Sequence, residues 1–388
     1  MSRKYRTTSS FLIYLAKLLF VLGDFHQRGR ERMQKKIMRC LSVFISLIIM
    51  LSASAKAEQP IRVLFINPGH ASESFWQEVD QYSIAAADAL GIELDIRHAS
   101  RNHFAMRQIL SARLNKPPLP NYVIIVNEKL AANHLFPILR QHPIYVQVIL
   151  NDIDADVRAN LLSDPHWQQY LLPSVIPNNR YIGEKIAEAM VKAGHQQPGE
   201  AVIISGDLNT PASVAREAGA RDYFKSHQQI ELMQVVHGQW DEAISYEQMG
   251  TLLQRYPALR YVWTANDHMA FGAIKAAQEM GKKPGEDIFF ATVNTSAKVL
   301  SLRQQGIISA LGGGHFSAGG IALTRIYAHA NGLSLPLLCA DQLFQLIEPN
   351  TPYFSFLQAD AWDHISFKEM ARQQRSHCGA DKMERINQ

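Results

Sequence analysis

The chain has 388 residues, enough for two α/β lobes, and its 47% hydrophobic and 19% charged residues exclude large-scale disorder. Its net charge of +4 arises from residues 1–57, which hold eleven basic and two acidic side chains. The remainder has 28 basic and 33 acidic side chains, a net charge of −5. This negative charge excludes a nucleic-acid partner on electrostatic grounds, because such binding depends on neutralising phosphates.

The amino-terminal segment has the organisation of an export signal. Residues 34–39 are basic, residues 40–51 form an apolar stretch that is short for a membrane span, and Ala55-Lys56-Ala57 offers small residues for cleavage before Glu58. We therefore predict a signal peptide at residues 33–57 that directs the protein to the periplasm. An uncleaved anchor is the alternative.

Residues 1–32 precede this signal and contain a second apolar run, residues 11–22, which Lys17 interrupts. Two export signals in tandem have no physical purpose, and Met33 begins a complete signal. We interpret residues 1–32 as an artefact of start-codon assignment. A transmembrane anchor is the alternative.

The chain contains three cysteines. Cys40 lies in the signal, and Met38 and Arg39 stand where a lipoprotein would need small residues. Cys339 and Cys378 remain in an oxidising compartment, where we expect a disulfide that ties down the C-terminal tail. Two unpaired thiols are the alternative.

From residue 61 onward, short apolar segments alternate with amphipathic ones. This pattern predicts strands at residues 61–66, 92–96, 122–126 and 144–150, and helices at residues 75–90, 105–114 and 130–141. The third strand is apolar at nearly every position, as expected for a strand buried on both faces. Residues 154–172 are polar and are predicted to be irregular.

A second cycle of the same kind follows. Helices are predicted at residues 182–193, 212–227, 243–256 and 270–280, and strands at residues 201–205, 231–237, 261–264 and 288–293. Two runs of β–α units predict the α/β class, with two doubly wound parallel-sheet lobes joined by a hinge. Ligands bind at the carboxyl ends of parallel strands, so the expected site is the cleft between the lobes.

These boundaries give a provisional division of the chain. We assign residues 58–174 and about 312–343 to the N-terminal lobe and residues 175–311 and about 344–360 to the C-terminal lobe. Residues 361–388 form a C-terminal tail.

Four segments near the predicted strand ends carry polar and aromatic residues: Glu73-Ser74-Phe75-Trp76, Ser213-Val214-Ala215-Arg216-Glu217-Ala218-Gly219, Ala265-Asn266-Asp267-His268-Met269-Ala270-Phe271-Gly272-Ala273 and Ala291-Thr292-Val293-Asn294-Thr295. Their order and spacing resemble those of type I periplasmic solute-binding proteins of the ribose and galactose class, over roughly residues 61–347. The resemblance implies two lobes that close around a small polar ligand, usually a sugar, and deliver it to an ABC importer.

The resemblance also implies ligand-binding roles for two aromatic residues and an arginine. Phe75 and Trp76 would form an apolar wall, because the C–H faces of a sugar pack on aromatic rings. Arg216 would supply several fixed donors to hydroxyl groups or to a carboxylate. The structural alternatives are that the aromatic rings face the core and that Arg216 is a solvated helix charge.

Polar residues at other strand ends complete the implied site. Asn266 can offer a donor and an acceptor to two hydroxyl groups, whereas Asp267 is interpreted as a helix cap. Asn294 stands where the family usually has a ligand-binding aspartate. Asn151 and Asp152 follow the fourth strand, where the family places polar contacts, and turn formation is their alternative role.

A further departure from the family pattern is Gly312-Gly313-Gly314-His315, where the family commonly has a glutamine that faces the sugar. His315 would bind the ligand or respond to pH, and a core or surface histidine is the alternative. Together with Asn294, this departure indicates an unusual sugar, or a ligand that is not a sugar.

The sequence lacks the nucleophile elbow, phosphate-binding loop, zinc motif and paired Cys-x-x-Cys of common enzyme classes, so we predict no catalysis, cofactor or metal. Sugar-responsive repressors share this core but need a helix-turn-helix ahead of the first lobe, where this chain has an export signal. We predict a periplasmic solute-binding protein whose partner is a membrane permease. The alternative partner is a membrane receptor kinase or cyclase, to which the closed form is presented.

Overall fold

A four-stranded parallel sheet organises the first lobe of the computed structural model, which describes residues 60–336, 338 and 340–373. The strands β1 (Arg62–Asn67), β2 (Glu93–His98), β3 (Tyr122–Val126) and β4 (Tyr145–Ile149) have the order β2-β1-β3-β4. Between them lie the helices α1 (Ser74–Leu90), α2 (His103–Leu114) and α3 (Ala132–Leu139). Every residue of β3 is buried, as its apolar sequence predicts.

The segment after β4 is helical, so the prediction of an irregular region was wrong. It forms α4 (Ala155–Leu162) and α5 (Pro165–Tyr170). Asp164 caps α5 by accepting a hydrogen bond from the His166 amide at 2.9 Å, and Pro165 takes the first helical position. These short helices escaped prediction because α4 buries none of its residues, so it has no apolar stripe.

A six-stranded sheet organises the second lobe. Its strands are β5 (Gly199–Ser205), β6 (Ile230–His237), β7 (Leu259–Thr264), β8 (Phe289–Val293), β9 (Ala310–Gly313) and β10 (Gln345–Leu346), in the order β10-β9-β8-β7-β5-β6. All pairs are parallel except β9 with β10. The helices are α6 (Asn179–Ala193), α7 (Pro211–Ser226), α8 (Glu242–Arg255), α9 (Asp267–Glu279) and α10 (Ala297–Gln304).

Two parallel-sheet lobes confirm the predicted α/β fold class. Across residues 60–336 and 340–373, none of the helices combines the length and apolar character that a membrane span requires.

The chain passes repeatedly from one lobe to the other, through residues 176–178, 314–317 and 340–344, here called the crossing segments. The first and third are neighbours, because the Asn178 amide donates to the Ala340 carbonyl at 3.2 Å. After the second, α11 (Ala318–Ala330) packs on α1 of the first lobe. After the third, α12 (Pro352–Ala359) packs on α10 of the second lobe.

Two boundaries differ from the provisional division. Gly312 and Gly313 belong to β9 in the second lobe, and their lack of side chains hid this strand in the sequence. A Cβ at Gly312 would lie 2.6 Å from Ile182, so the sheet and α6 require glycine there. In the tail, α13 (Phe367–Arg372) returns to pack on α1 and α11 of the first lobe.

Two glycines allow α6 and α7 to pack closely. A Cβ at Gly183 would lie 2.0 Å from the Arg216 carbonyl oxygen, and one at Gly219 would lie 2.0 Å from the Arg180 carbonyl oxygen. Both distances are far below van der Waals contact. The close approach therefore depends on glycine, and it fixes the backbone of Arg216, a predicted site residue.

Gly219→Ala is expected to lower the free energy of unfolding by about 1–3 kcal/mol, because the new methyl group must push α6 and α7 apart. Urea denaturation followed by circular dichroism measures this change. Gly250→Ala is the matched control, since an added Cβ in that part of α8 meets nothing within 4 Å. The control should be neutral or stabilising by about 0.5–1 kcal/mol, and equal losses in both variants would contradict the close-packing explanation.

Candidate functional site

A pocket lies between the two lobes, at the carboxyl ends of their strands. Seven predicted site residues line it: Phe75, Trp76, Asn151, Arg216, Asn266, Asn294 and His315. The sequence did not reveal the remaining lining residues, which are Glu73, Arg101, Glu128, Leu150, Thr210, Ala212 and Trp240.

The two lobes touch beside this pocket. Asn151, at the end of β4, accepts a hydrogen bond from the Ala212 amide in the first turn of α7 at 2.8 Å. Ser74 Oγ of α1 lies 3.1 Å from His268 Nε2 of α9. Asn151 thus satisfies a helix-terminal amide of the opposite lobe.

Asp152 does not line the pocket, which corrects the prediction of a ligand contact. Its Oδ1 accepts from the Ile153 amide at 2.9 Å, from Ser174 Oγ at 3.2 Å and from the Arg158 guanidinium. These bonds hold the chain where it leaves β4, so the alternative role in the turn describes this residue.

Phe75 and Trp76 differ in burial. Trp76 is 3% exposed and packs in the core of the first lobe, with one part of its ring at the pocket. Phe75 is half-buried, and its ring stacks on that of His315 with 4.5 Å between the centroids. The core alternative therefore applies to most of Trp76, and Phe75 is the more available surface.

The amides on the second-lobe side have fixed orientations. Asn266, not Asp267, caps α9, because its Oδ1 accepts from the Met269 amide at 2.9 Å. The buried Asp267 accepts from Asn294 Nδ2 at 2.7 Å, and burial raises the pKa of Asp267. Asn266 Nδ2 donates to the Trp240 carbonyl at 3.5 Å. Its second N–H and the Asn294 Oδ1 acceptor are therefore left for a ligand.

Arg216 is 5% exposed, so it is not a solvated helix charge. Its Nε donates to Asn179 Oδ1 at 2.8 Å, and its Nη1 donates to the Ala265 carbonyl at 2.9 Å. The guanidinium carbon lies 5.3 Å from the centre of the Phe344 ring. Burial lowers the pKa of Arg216 to about 9, which leaves the group charged at neutral pH.

His315 occupies an aromatic column beside Arg216. Its ring lies between those of Phe75 and Phe344, with centroid distances of 4.5 and 4.4 Å. The residue is 2% exposed, and its Nδ1 has no hydrogen-bond partner among the described residues. Burial, aided by the Arg216 charge, holds the pKa of His315 well below its ordinary value. A neutral His315 does not fit a pH response near neutrality.

A cluster of charged side chains on the first-lobe side was not predicted from the sequence. Arg101 donates to Glu73 Oε2 at 3.0 Å and to Glu128 Oε1 at 2.7 Å. Its guanidinium carbon lies 5.8 Å from the ring centre of Trp76 and 5.9 Å from that of Trp240 in the second lobe. Arg101, Glu128 and Trp240 each stand just beyond the end of a strand, and this position was the signal that could have revealed them.

Some predictions fall outside the described residues. These are the signal peptide at residues 33–57, the extension at residues 1–32 and the disulfide between Cys339 and Cys378. Within residues 60–336 and 340–373, side chains that could ligate a metal do not form a cluster.

Residues 63–334 match the family profile of the periplasmic binding protein domain. The chain belongs to this family. It is 26% identical over 253 residues to the D-allose-binding periplasmic protein of Escherichia coli K12, covering 64% of this chain and 77% of that protein. It is 22% identical over 256 residues to the galactofuranose-binding protein YtfQ of the same organism, covering 65% and 76%.

The crystal structure of a periplasmic sugar-binding protein from Pseudomonas fluorescens shares this fold with a TM-score of 0.71 and 30% identity, covering 80% of this chain and 93% of that chain. The predicted resemblance to type I periplasmic sugar-binding proteins is thereby confirmed. The relatives are binding proteins rather than enzymes, as predicted for this chain.

One contact between the lobes of this periplasmic binding protein contains a titratable group. Thr295 Oγ1, just after β8, donates to Glu78 Oε2 of α1 at 2.5 Å. Burial raises the pKa of Glu78 to about 8, the Thr295 hydrogen bond opposes this shift, and the charges of Asp267 and Asp360 add to it. The stabilisation from a neutral Glu78 is therefore fully present below pH 4.5, the ordinary pKa, and is lost as the pH rises through about 8.

The melting temperature should fall more steeply between pH 5 and pH 8 in the wild-type protein than in Glu78→Gln, whose amide does not titrate. The difference corresponds to about 3–4 kcal/mol over this interval. Differential scanning fluorimetry at several pH values measures it. Glu286→Gln removes a carboxylate whose side chain is 73% exposed and should keep the wild-type profile. Parallel profiles for Glu78→Gln and the wild type would show that Glu78 does not titrate in this range.

Proposed function

We propose that this protein is a periplasmic solute-binding protein whose lobes close around one sugar molecule and deliver it to an ABC importer. The observation that carries the proposal is the shared pocket, to which both lobes and the crossing segments contribute side chains. Membership of the periplasmic binding protein family and the names of the sugar-binding relatives support the ligand class.

The chemistry of the pocket suits a sugar. A monosaccharide has apolar C–H faces, which pack on aromatic rings, and hydroxyl groups that both donate and accept hydrogen bonds. Phe75 and Trp240 offer aromatic surface from opposite lobes. Asn266 and Asn294 offer a donor and an acceptor, while Arg216 offers further donors.

Contacts across the pocket explain how a ligand would favour closed lobes. The hydrogen bond from the Ala212 amide to Asn151 forms only when the lobes meet. A sugar that touches both lobes binds the closed arrangement more tightly than the open one, and this difference in affinity shifts the population. The importer would then recognise the closed protein.

Export to the periplasm is part of the proposal. The basic, apolar and small-residue pattern of residues 33–57 supports a cleaved signal peptide, and the family supports the compartment.

A thermal-shift screen of the chain from Glu58 to Gln388 against D-allose, D-galactose and other monosaccharides should find at least one that raises the melting temperature, since ligand at 100 times its Kd stabilises by about 2.7 kcal/mol. Calorimetry should then show at least a tenfold loss of affinity in Trp240→Ala, which removes the second-lobe aromatic surface. Tyr181→Ala, which removes an exposed aromatic ring of α6 outside the pocket, should bind normally. Unchanged binding by Trp240→Ala would place the ligand elsewhere.

Deleting the gene should abolish uptake of the identified sugar at micromolar concentration, measured with radiolabelled solute. A plasmid that encodes residues 33–388 should restore uptake, and one that encodes Met followed by residues 58–388 should not, because that product lacks an export signal. Normal uptake in the deletion strain, combined with a lost transcriptional response to the sugar, would favour the sensory alternative.

A further inference from the structure

We infer that the solute carries a carboxylate that binds Arg216, which makes it a sugar acid (a uronic or aldonic acid) rather than a neutral sugar. This inference rests on the proposed function, because it concerns the same pocket. The charged groups of the pocket differ in how far the protein satisfies them.

The acidic groups at and beside the pocket accept hydrogen bonds from the protein itself. Glu73 and Glu128 share the Arg101 guanidinium, which donates to both. Asp207, just after β5, accepts from Trp240 Nε1 at 2.8 Å and from Thr210 Oγ1 at 2.7 Å, in addition to two backbone amides. The oxygens of these carboxylates are thus satisfied by protein donors, and none of them needs a ligand.

Protein acceptors satisfy Arg216 only in part. Its partners among the described residues are an amide oxygen and a carbonyl oxygen, and no described carboxylate lies within ion-pair distance of it. Nη2 has no described partner, although the side chain is buried and lines the pocket. A buried cation that lacks a counter-charge is unfavourable, and a ligand carboxylate would supply that charge.

The geometry of Arg216 favours a carboxylate over a hydroxyl group. A guanidinium presents parallel N–H groups that match the two oxygens of a carboxylate, and the resulting charge-assisted hydrogen bonds are roughly twice as strong as neutral ones. The ring of Phe344 packs against the guanidinium and positions it beside the third crossing segment. Protein groups therefore orient Arg216 but leave its charge for the solute.

The other side chains near the base of the pocket do not compete for that role. Asn266, Asn294 and His315 are neutral, and the Asn294 amide stands between the pocket and the carboxylate of Asp267, to which it donates. An acidic solute therefore meets amides and a neutral imidazole beside Arg216. These groups can bind the hydroxyl groups of the same molecule.

Isothermal titration of the wild-type chain from Glu58 to Gln388 tests this inference. The solutes are D-galacturonate, D-glucuronate, D-galactonate and D-gluconate, with D-galactose and D-glucose as neutral counterparts and succinate as a carboxylate without a sugar chain. At least one sugar acid should bind tenfold or more tightly than its neutral counterpart, and succinate should not bind.

The outcomes separate the inference from the proposed function. If a neutral hexose binds as tightly as its acid, the inference is overturned and the proposed sugar-binding function stands. Succinate that binds as tightly as the acids would overturn the sugar acid as the ligand class. Failure of sugar acids and of every neutral sugar in the screen would overturn both.

Variants of Arg216 provide a second measurement. Arg216→Gln should reduce the affinity for the acid at least tenfold, to that of the neutral counterpart, and Arg216→Lys should retain part of it. Arg221→Gln, on the same helix but exposed and paired with Glu217, should leave the affinity unchanged. Equal affinity for acid in Arg216→Gln and wild type would overturn the inference. If circular dichroism shows that Arg216→Gln is unfolded, the solute preference of the wild-type chain decides.

Discussion

The position of one buried guanidinium, that of Arg216, links the two lobes to the pocket. Asn179, which accepts from it, is the first residue of α6 after the first crossing segment, and Phe344, which lies against it, belongs to the third. The Ala265 carbonyl holds it at the end of β7. Gly183 permits the close approach of α6 to its backbone. A ligand that binds Arg216 therefore acts where the chain crosses between the lobes.

The pocket is also shaped by side chains that never reach the ligand. Asp267 is fully buried and accepts from Asn294, so the acceptor oxygen of that amide is directed away from it. The cap of α9 uses the oxygen of Asn266, and the Asn266 amide nitrogen keeps one N–H beyond its bond to the Trp240 carbonyl. Fixed amides of this kind distinguish donors from acceptors on a solute, and they need no reorganisation when it binds. The hydrogen bonds at the start of α9 therefore determine which donors and acceptors this lobe presents to a solute.

The fold was predictable because buried parallel strands such as β3 leave an apolar run that local sequence reveals. The motif residues Arg216 and Asn294 were identified through the resemblance to the family, and Asn294 directly follows a strand end, where ligands bind. Asp152 also follows a strand, but it holds the turn through its bond to Arg158. No local sequence pattern predicts that Arg158 lies next to it. The pairing of Arg101 with Glu73 depends on the folding of β1 and β2 side by side, so spacing alone could not show it.

Glu78 and Arg216 are both buried, and burial disfavours the charged form of each side chain. Glu78 can lose its charge, since its pKa of about 8 lies near physiological pH and a neutral carboxyl group costs little in a contact between lobes. Arg216 cannot, because even a pKa lowered to about 9 leaves the guanidinium protonated at neutral pH. Its described partners are two neutral oxygens, and the described carboxylates lie beyond ion-pair distance. In the inferred complex, the carboxylate of the solute offsets the charge of the arginine, whereas a proton removes the charge of the glutamate.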